Sequence, residues 1–349
     1  MSGRPDPITH YLAVGSKKGL DPNPLFDSQY YLSENPEVAE SGSNPLAHYL
    51  AHGARERRNP HPLFDSQYYL EHYGHLLAED TNPLADFIDN GTNGERNPCL
   101  FFDSQYYLSE NPEVAESGSN PLAHYLAHGA RERRNPHPLF DSQYYLEHYG
   151  HLLAEDTNPL ADFIDNGTNG ERNPCLFFDS QYYLSENPEV AESGSNPLAH
   201  YLAHGARERR NPHPLFDSQY YLEHYGHLLA EDTNPLADFI DNGTNGERNP
   251  CLFFDSQYFL SENPEVAESG SNPLAHYLAH GARERRNPHP LFDSQYYLEH
   301  YGHLLTEDTN PHWLTLWDNG GLQGRHPSFL LTRPYLPPAQ TPKTLDWKT

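Results

Sequence analysis

Residues 26–63 read FDSQYYLSENPEVAESGSNPLAHYLAHGARERRNPHPL, and this 38-residue stretch decides the fold. Its opening Phe-Asp pair returns with a constant spacing at positions 64, 102, 140, 178, 216, 254 and 292. A 76-residue period lies over this one, because residues 26–101 recur almost unchanged from position 102 onward. Two types of unit therefore alternate. We call the units that begin at 26, 102, 178 and 254 type A, and those that begin at 64, 140, 216 and 292 type B.

Helix-starting signals recur at fixed places in the type A unit. Asp27 is placed to cap a first helix, while Asn35–Pro36 and Asn44–Pro45 each put asparagine at an N-cap and proline at the first helical position. These signals predict two main helices. Between them we expect a short turn at 37–41 that ends at Gly42.

The second main helix of the unit carries its apolar residues on one side. Leu46, Tyr49 and Leu50 fall at i, i+3 and i+4, which makes one apolar stripe. Gly53 follows where a left-handed C-cap belongs. Because one unit is too short to bury a core alone, the units must stack on their neighbours. We therefore predict an all-α solenoid of tandem 38-residue two-helix repeats that alternate in two types.

The register of the repeat divides the chain into four parts. Residues 1–25 are an N-terminal half repeat, since they align without a gap on the second half of a unit. Residues 26–291 comprise seven tandem repeats. Residues 292–328 are a degenerate capping repeat, and residues 329–349 form a proline-rich tail that has lost the period.

The acidic charge of the chain is concentrated in the type B units. The formal net charge is −27. The type A unit 26–63 sets three arginines against its acidic side chains, whereas the type B unit 64–101 has Arg96 alone. An acidic solenoid repels phosphate backbones, so we expect no nucleic-acid partner.

Targeting signals and cysteines bear on the compartment. The N-terminus has no apolar core of a secretory signal, and no segment approaches the ~20 apolar residues of a membrane span. The cysteines Cys99, Cys175 and Cys251 lie one in each 76-residue period, too far apart for disulfides. We expect reduced thiols or buried small side chains and a cytoplasmic location. The alternative is a cell-surface or secreted protein without a cleavable signal.

The unit resembles short helical repeats of bacterial proteins with the pattern FDxxYYLxxNPxV followed by NPLxHYLxxG. Such repeats occur beside glycosyltransferase domains of surface-polysaccharide pathways and in some large secreted, calcium-binding repeat proteins. The matching residues are Phe26, Asp27, Tyr30, Tyr31, Leu32, Asn35, Pro36, Val38, Asn44, Pro45, Leu46, His48, Tyr49, Leu50, Gly53, Asn59, Pro60, Pro62 and Leu63. The resemblance implies a helical-repeat fold and a link to bacterial surface polysaccharide. It implies no activity, since the sequence lacks a nucleotide-sugar-binding domain and type B units lack the NPxV element.

Histidine pairs are the first candidates for a functional site. His48 and His52 lie at i and i+4 of one predicted helix, a spacing at which two imidazoles can share a metal. The pair recurs as His124 and His128, and again at positions 200/204 and 276/280. A stable site needs further ligands that the local sequence does not supply, and packing is the simpler role for the first histidine. We expect no cofactor.

Each type A unit also ends in a cluster of three arginines. In the first two units these are Arg55, Arg57, Arg58, Arg131, Arg133 and Arg134. Repeated along a solenoid, they would form a ladder suited to carboxylate or phosphate groups. The alternative is a set of salt bridges to Glu34, Glu37 or Glu40 on stacked neighbours.

Residues 89–95, DNGTNGE, raise two further hypotheses. They faintly resemble a calcium loop, but Gly91 stands where the EF-hand pattern needs an oxygen ligand, so a helix end followed by a Gly-rich turn is the alternative. Asn90-Gly-Thr92 is a glycosylation sequon, repeated at positions 166 and 242. Neither pattern is specific.

The tandem repetition of the units indicates which class of function to expect. A catalytic site usually occurs once, whereas stacked identical units present the same contacts several times. We therefore expect a non-catalytic scaffold whose partner is a protein or polysaccharide with a periodic surface. The alternatives are end-to-end self-association into a filament and an accessory module of a glycosyltransferase system.

Overall fold

The computed structural model describes residues 6–304, and over this range the chain is all-helical with regularly recurring units. The predicted all-α repeat solenoid is confirmed. The predicted tail at 329–349 and most of the predicted capping repeat at 292–328 lie outside the described residues. None of the helices within residues 6–304 combines the length and the apolar composition that crossing a membrane requires.

Each type A unit contains three helices. The first helices are Ser28–Glu34, Ser104–Glu110, Ser180–Glu186 and Ser256–Glu262. The second helices are Pro36–Ser41, Pro112–Ser117, Pro188–Ser193 and Pro264–Ser269, where the sequence predicted only a turn. The third helices are Pro45–His48, Pro121–His124, Pro197–His200 and Pro273–His276. Each third helix continues as a π-helix, Tyr49–Gly53, Tyr125–Gly129, Tyr201–Gly205 or Tyr277–Gly281.

Type B units have a simpler plan, with two main helices joined by a 3₁₀ turn. The first helices are Ser66–Tyr73, Ser142–Tyr149, Ser218–Tyr225 and Ser294–Tyr301. The 3₁₀ turns are Gly74–Leu76, Gly150–Leu152, Gly226–Leu228 and Gly302–Leu304. The last helices are Pro83–Asn90, Pro159–Asn166 and Pro235–Asn242. The N-terminal half repeat consists of Pro7–His10, the π-helix Tyr11–Gly15 and the 3₁₀ turn Ser16–Lys18.

Two of the three predicted caps have the expected geometry. The Asp27 carboxylate accepts from the backbone of Gln29 and Tyr30, and the Asn44 side chain accepts from the Ala47 backbone. Asn35 differs, because its amide donates to the Tyr31 carbonyl at 2.6 Å and makes no cap bond to the helix that follows. Asn35 therefore ties two successive helices together.

Gly53 is not the left-handed C-cap that the sequence predicted. It lies at the end of a π-helix, and the backbone turns left-handed later, at Arg57 with φ of 58°. Glycine is needed at position 53 for a different reason. A Cβ atom there would overlap the hydroxyl oxygen of the buried Tyr31.

A compact junction connects successive units. The Asn59 side chain accepts from the Ser66 backbone at 2.9 Å, and the Ser66 hydroxyl donates to the Arg58 carbonyl at 2.9 Å. Leu63 and Phe64 between them are fully buried. The same bonds recur with Asn97 and Ser104 and at each later junction. The repeated NPxPLFDS-type sequence is therefore a fixed corner.

Backbone bonds then tie together the two corners at the ends of each unit, and side-chain bonds join one unit to the next. Asp27 donates its backbone N–H to the Pro60 carbonyl at 2.9 Å. Equivalent bonds run from positions 65, 103, 141, 179, 217 and 255 to the matching proline of the next corner. The Asn120 side chain adds a bond to the Phe87 carbonyl at 3.3 Å. Neighbouring units are thus held in one register along the described chain.

Contacts also reach beyond the neighbouring unit. The rings of Phe101 and Phe163 meet edge to face at 6.1 Å. Asp165 lies near Glu34, which is far earlier in the chain, and burial, Asp162 and Glu34 raise the pKa of Asp165. The burial of equivalent leucines agrees: Leu50 is 62% exposed, whereas its copy Leu278 is 5% exposed. The array therefore curls so that a later turn packs on an earlier one.

Histidines with little exposure occupy the junctions after type A units. The Nδ1 atom of His61 accepts the Leu63 N–H at 3.0 Å, as do the equivalent atoms of His137 and His213. Burial lowers the pKa of each of the three to about 4, although a nearby aspartate opposes the shift. The half repeat has Asn23 at this position, and its side-chain oxygen accepts the same bond at 2.8 Å.

These junctions predict a stability that falls in mild acid. Since the pKa of His61, His137 and His213 is lower in the folded chain than the unfolded value near 6.5, the unfolded chain binds more protons as pH drops from about 6.5 to about 4. The stability is fully present above this window and decreases within it, by roughly 3 kcal/mol per site at its lower end. Urea unfolding at a series of pH values measures this.

The matched control replaces all three histidines with asparagine, the residue that the half repeat already uses at position 23. Asparagine keeps the acceptor and removes the titration, so the variant should lose most of the pH dependence between about 4 and 6.5. An unchanged pH profile in this variant would show that other groups cause the acid sensitivity.

Candidate functional site

Two of the three predicted arginines of a type A unit line a shallow cleft. In the unit 102–139 the cleft has a volume of about 270 Å³. It is lined by Tyr106, Glu110, Asn111, Arg133, Arg134, Asn135, Asp141 and Gln143. We call this the type A cleft. The last two residues belong to the following type B unit, so two units build it together.

Arg58 and its copies hold the wall of this cleft. The Arg58 guanidinium donates to the Asn35 side chain and to the Glu37 carboxylate, and its Nε donates to Glu56 at 2.6 Å. The pairing lowers the pKa of Glu37. The same contacts recur at Arg134, Arg210 and Arg286. This position therefore matches the salt-bridge alternative, with the acid in the same unit and not on a stacked neighbour.

Arg57 and its copies point outward from the turn that follows. Arg57 is exposed, and its Nη1 donates to the Gln67 Oε1 of the next unit at 2.8 Å. Its backbone is left-handed, and the half repeat has Gly19 at the equivalent position with φ of 69°. Arginine is held there in a conformation that glycine adopts more easily. The strained turn presents the Arg57 side chain at the surface.

The first arginine of the cluster is the most exposed. Arg55 makes one long bond to the Ala51 carbonyl, at 3.5 Å. Arg131 faces Asp156 at 3.8 Å between Nε and Oδ1, with both side chains about three-quarters exposed. Such a pair contributes little to stability. The structure thus divides the six predicted arginines into two groups. Arg58 and Arg134 bond to side chains along the cleft wall, and the other two arginines of each unit point outward.

In type B units the arginine equivalent to Arg58 is Arg96, and its side chain points into the unit. Tyr69 donates to Asp86 at 2.6 Å, and Arg96 donates to the same carboxylate oxygen. The exposed fractions of the Arg96 and Asp86 side chains are 16% and 10%. Position 95, equivalent to Arg57, is glutamate. Outward arginines therefore belong to type A units, one cluster in each 76-residue period.

The predicted histidine pairs are brought together but are already engaged. His48 Nδ1 bonds the Tyr31 hydroxyl at 2.9 Å, and the His48 and His52 rings lie 5.4 Å apart. His124 repeats the bond with Tyr107, and burial, Arg134 and His128 lower the pKa of His124. Within residues 6–304, groups of three or more His, Cys, Asp or Glu side chains that could hold a metal do not occur. The first histidine thus completes a buried hydrogen bond.

One unit breaks this pattern. Phe259 replaces the tyrosine, and the Nδ1 atom of His276 is buried without a hydrogen bond. The rings of Phe259 and His276 keep the 6.0 Å spacing that Tyr183 and His200 have. The unit therefore lacks only the phenolic oxygen.

Residues 89–95 form a helix end followed by a turn. Asn90 is the last residue of Pro83–Asn90, and its amide donates to Asp86 at 2.9 Å. Gly91 has φ of −90°, and Gly94 has φ of 84°. Asn93 bonds to Glu95 through both side-chain atoms. This loop is not part of any group of three or more His, Cys, Asp or Glu side chains that could hold a metal within residues 6–304.

The cleft contains residues that the sequence alone did not single out. Tyr106, Glu110 and Gln143 line it, and they come from a helix and from the start of the next unit. The sequence feature that could have pointed to the cleft is the alternation of arginine and glutamate at the equivalent positions 57 and 95. The three cysteines, by contrast, are buried and unpaired, as the spacing predicted.

The exceptional unit allows a gain-of-stability test. Phe259→Tyr should restore the hydrogen bond to His276 and stabilise the fold by about 1 kcal/mol, since a buried acceptor is satisfied. The reverse change, Tyr183→Phe, should destabilise the unit by a similar amount because it leaves His200 unpaired. Hydrogen exchange of the two units measures both effects. A destabilising Phe259→Tyr would mean that the buried site cannot accept the hydroxyl.

The paired glycines give a second test. Gly205→Ala should destabilise by about 2 kcal/mol, because the new Cβ would overlap the Tyr183 hydroxyl. Gly281→Ala should be tolerated better, since Phe259 leaves the nearest atom at 3.2 Å. Equal losses of unfolding free energy in the two variants would contradict the assigned role of the hydroxyl.

Comparisons of the chain with protein-family models, with curated proteins and with solved structures find no match. The resemblance to bacterial helical repeats therefore rests on the repeat residues themselves. What the chain does has to be argued from the geometry of the type A cleft and its copies.

Proposed function

We propose that the chain is a non-catalytic tandem-repeat scaffold that binds its partner through several type A clefts at once. One observation carries the proposal: type A units recur along the array with nearly identical exposed arginines beside the cleft. Weak contacts presented several times give strong avidity when the partner is itself periodic. A point change in one unit should then weaken binding without abolishing it.

The chemistry of the cleft narrows the partner. Arg133 and Gln143 offer donors, Glu110 and Asp141 offer acceptors, and Tyr106 offers part of an aromatic ring. Positive and negative groups are balanced within the cleft, while the chain as a whole is acidic. This favours a partner rich in both donors and acceptors over a polyanion. A protein or polysaccharide with a periodic surface fits, and the resemblance favours a bacterial surface polysaccharide or the machinery that makes it.

Near-identity of the units supports a role without catalysis. An enzyme would carry several equal active sites along one chain, and the cleft residues make ordinary structural hydrogen bonds. A role as accessory module of a glycosyltransferase system is compatible with such a scaffold. Co-purification of a glycosyltransferase with the tagged chain would favour that form of the proposal.

Self-association is the second candidate function. The apolar side chains of Ile8 and Leu12 are 67% and 55% exposed, whereas Leu84 and Leu122, at the position equivalent to Ile8, are 4% and 0% exposed. In the interior this face is covered by a preceding unit. A second copy docked there would make a head-to-tail contact that can propagate. Light scattering at increasing concentration, with Ile8→Asp as the control variant, tests the candidate.

The scaffold proposal predicts graded loss of binding. Arg57→Gln, Arg133→Gln, Arg209→Gln and Arg285→Gln are introduced singly and then cumulatively. Each single change should weaken binding a few-fold, and the four together about a hundredfold or more, because avidity multiplies small losses. Binding is measured on an array of bacterial surface polysaccharides.

The matched control changes one exposed glutamate per type A unit, at positions 40, 116, 192 and 268, to glutamine. These variants change the net charge by the same amount as the arginine variants but in the opposite direction, and they should leave binding unchanged. Complete loss from one arginine change would indicate a single unique site and would contradict multivalency. A gain of binding in the glutamate series that mirrors the loss in the arginine series would show that net charge, and not the cleft, governs binding.

A further inference from the structure

Each complete type B unit carries two Asn-Gly sequences close together in one loop. In the first unit they are Asn90–Gly91 and Asn93–Gly94. The copies are Asn166, Asn169, Asn242 and Asn245. Asn-Gly is chemically special, because without a Cβ the glycine nitrogen can approach the asparagine side-chain carbon. The two asparagines share their chemistry, so any difference between them arises from the fold.

The amide of Asn93 is held at both ends by Glu95. Its Oδ1 accepts the Glu95 backbone N–H at 3.1 Å, and its Nδ2 donates to the Glu95 carboxylate at 2.8 Å. Asn169 has the same two bonds at 3.0 and 2.8 Å, and Asn245 has both at 3.0 Å. All three side chains are exposed to water.

This arrangement favours attack on the amide carbon. A backbone N–H bonded to the carbonyl oxygen stabilises the negative charge that develops there, as an oxyanion hole does. The Glu95 carboxylate, bonded to Nδ2, is placed to relay a proton to the departing nitrogen. Gly94 is buried, as Gly91 is, but its N–H donates no hydrogen bond within the described chain, so the attacking nitrogen has no bond to break.

Asn90 has the opposite environment. The N–H of Gly91 donates to the Phe87 carbonyl at 2.8 Å, so its nitrogen is engaged in the helix end. Gly91 is buried against Phe87, where a Cβ would lie 2.5 Å from that carbonyl oxygen. The Asn90 amide donates to Asp86, and its oxygen accepts no backbone N–H within the described chain. Attack at Asn90 would require the helix end to unwind.

We propose that Asn93, Asn169 and Asn245 are self-modifying sites that convert to isoaspartate and aspartate in the folded chain. The Gly94 nitrogen bonds to the Asn93 side-chain carbon, the bond from that carbon to Nδ2 breaks, and the nitrogen leaves as ammonia. The proton lost by Gly94 goes to the leaving group through Glu95. Water then opens the succinimide ring at either carbonyl. Asn90, Asn166 and Asn242 keep their amides.

The modification changes the type B unit in two ways. A new carboxylate appears beside Glu95, in units that already hold most of the negative charge, and the Glu95 carboxylate loses the amide that it bonds. The isoaspartate product also adds a methylene to the backbone of the turn. Both changes act on the turn that directly precedes the junction residue Asn97, whose side chain accepts the Ser104 N–H.

The test uses the full chain and its internal pair of asparagines. Purified protein is incubated in mildly alkaline buffer, digested, and analysed by mass spectrometry with fragmentation that separates position 93 from position 90. The three copies are pooled in the readout, since their peptides are identical. In the native chain the Asn93 class should react at least about tenfold faster than the Asn90 class, the factor expected when one hydrogen bond blocks the nucleophile. In urea both classes should react at similar rates.

A variant separates activation by Glu95 from simple exposure. Glu95→Gln, made together with its copies at 171 and 247, keeps the backbone donor and removes the proton relay, so native Asn93 should react several-fold more slowly. Equal native rates at the two asparagines would overturn the proposal. So would a native Asn93 that reacts more slowly than in urea, because the fold would then protect the site instead of activating it.

Discussion

The corner between units is the constraint on which the structure depends. Its asparagine and serine side chains close a turn of fixed geometry, and the aspartate N–H that follows bonds a proline carbonyl of the next corner. Because every corner repeats the same bonds, successive units are always oriented in the same way relative to each other. Small errors would add up along a solenoid, and a corner with several hydrogen bonds limits them.

The alternation of types follows from how one buried tyrosine is satisfied. Tyr31 meets a histidine, whereas Tyr69 meets Asp86 and Arg96. In type B the arginine is turned inward to balance the buried carboxylate. In type A there is no buried carboxylate for the arginine to balance, so Arg58 bonds to Asn35 and Glu37 along the cleft wall. The internal choice between histidine and aspartate thus accompanies two different positions of this arginine.

Sequence reasoning recovered what local chemistry determines. The period, the helical class and the caps at Asp27 and Asn44 follow from residues acting on their own neighbourhood. Gly53 was placed correctly but for the wrong reason, since its need arises from a tyrosine on another helix. The cluster of arginines was visible, yet the different roles of Arg57 and Arg58 depend on which way a left-handed turn directs each side chain. Such contacts between separate helices are outside what spacing along the sequence can reveal.

The closeness of Glu34 and Asp165, whose charges repel each other, bears on how such an array can grow. Glu34 ends the first helix of a type A unit, and Asp165 lies on the last helix of the type B unit three places later. Gain of a single unit between them would bring a type A helix against Glu34, with histidine in place of Asp162 and alanine in place of Asp165. Gain of one type A and one type B unit together would again place a type B helix against Glu34. Growth in pairs thus keeps one helix type facing Glu34, in agreement with a chain whose copies are nearly identical within one type and divergent between the two types.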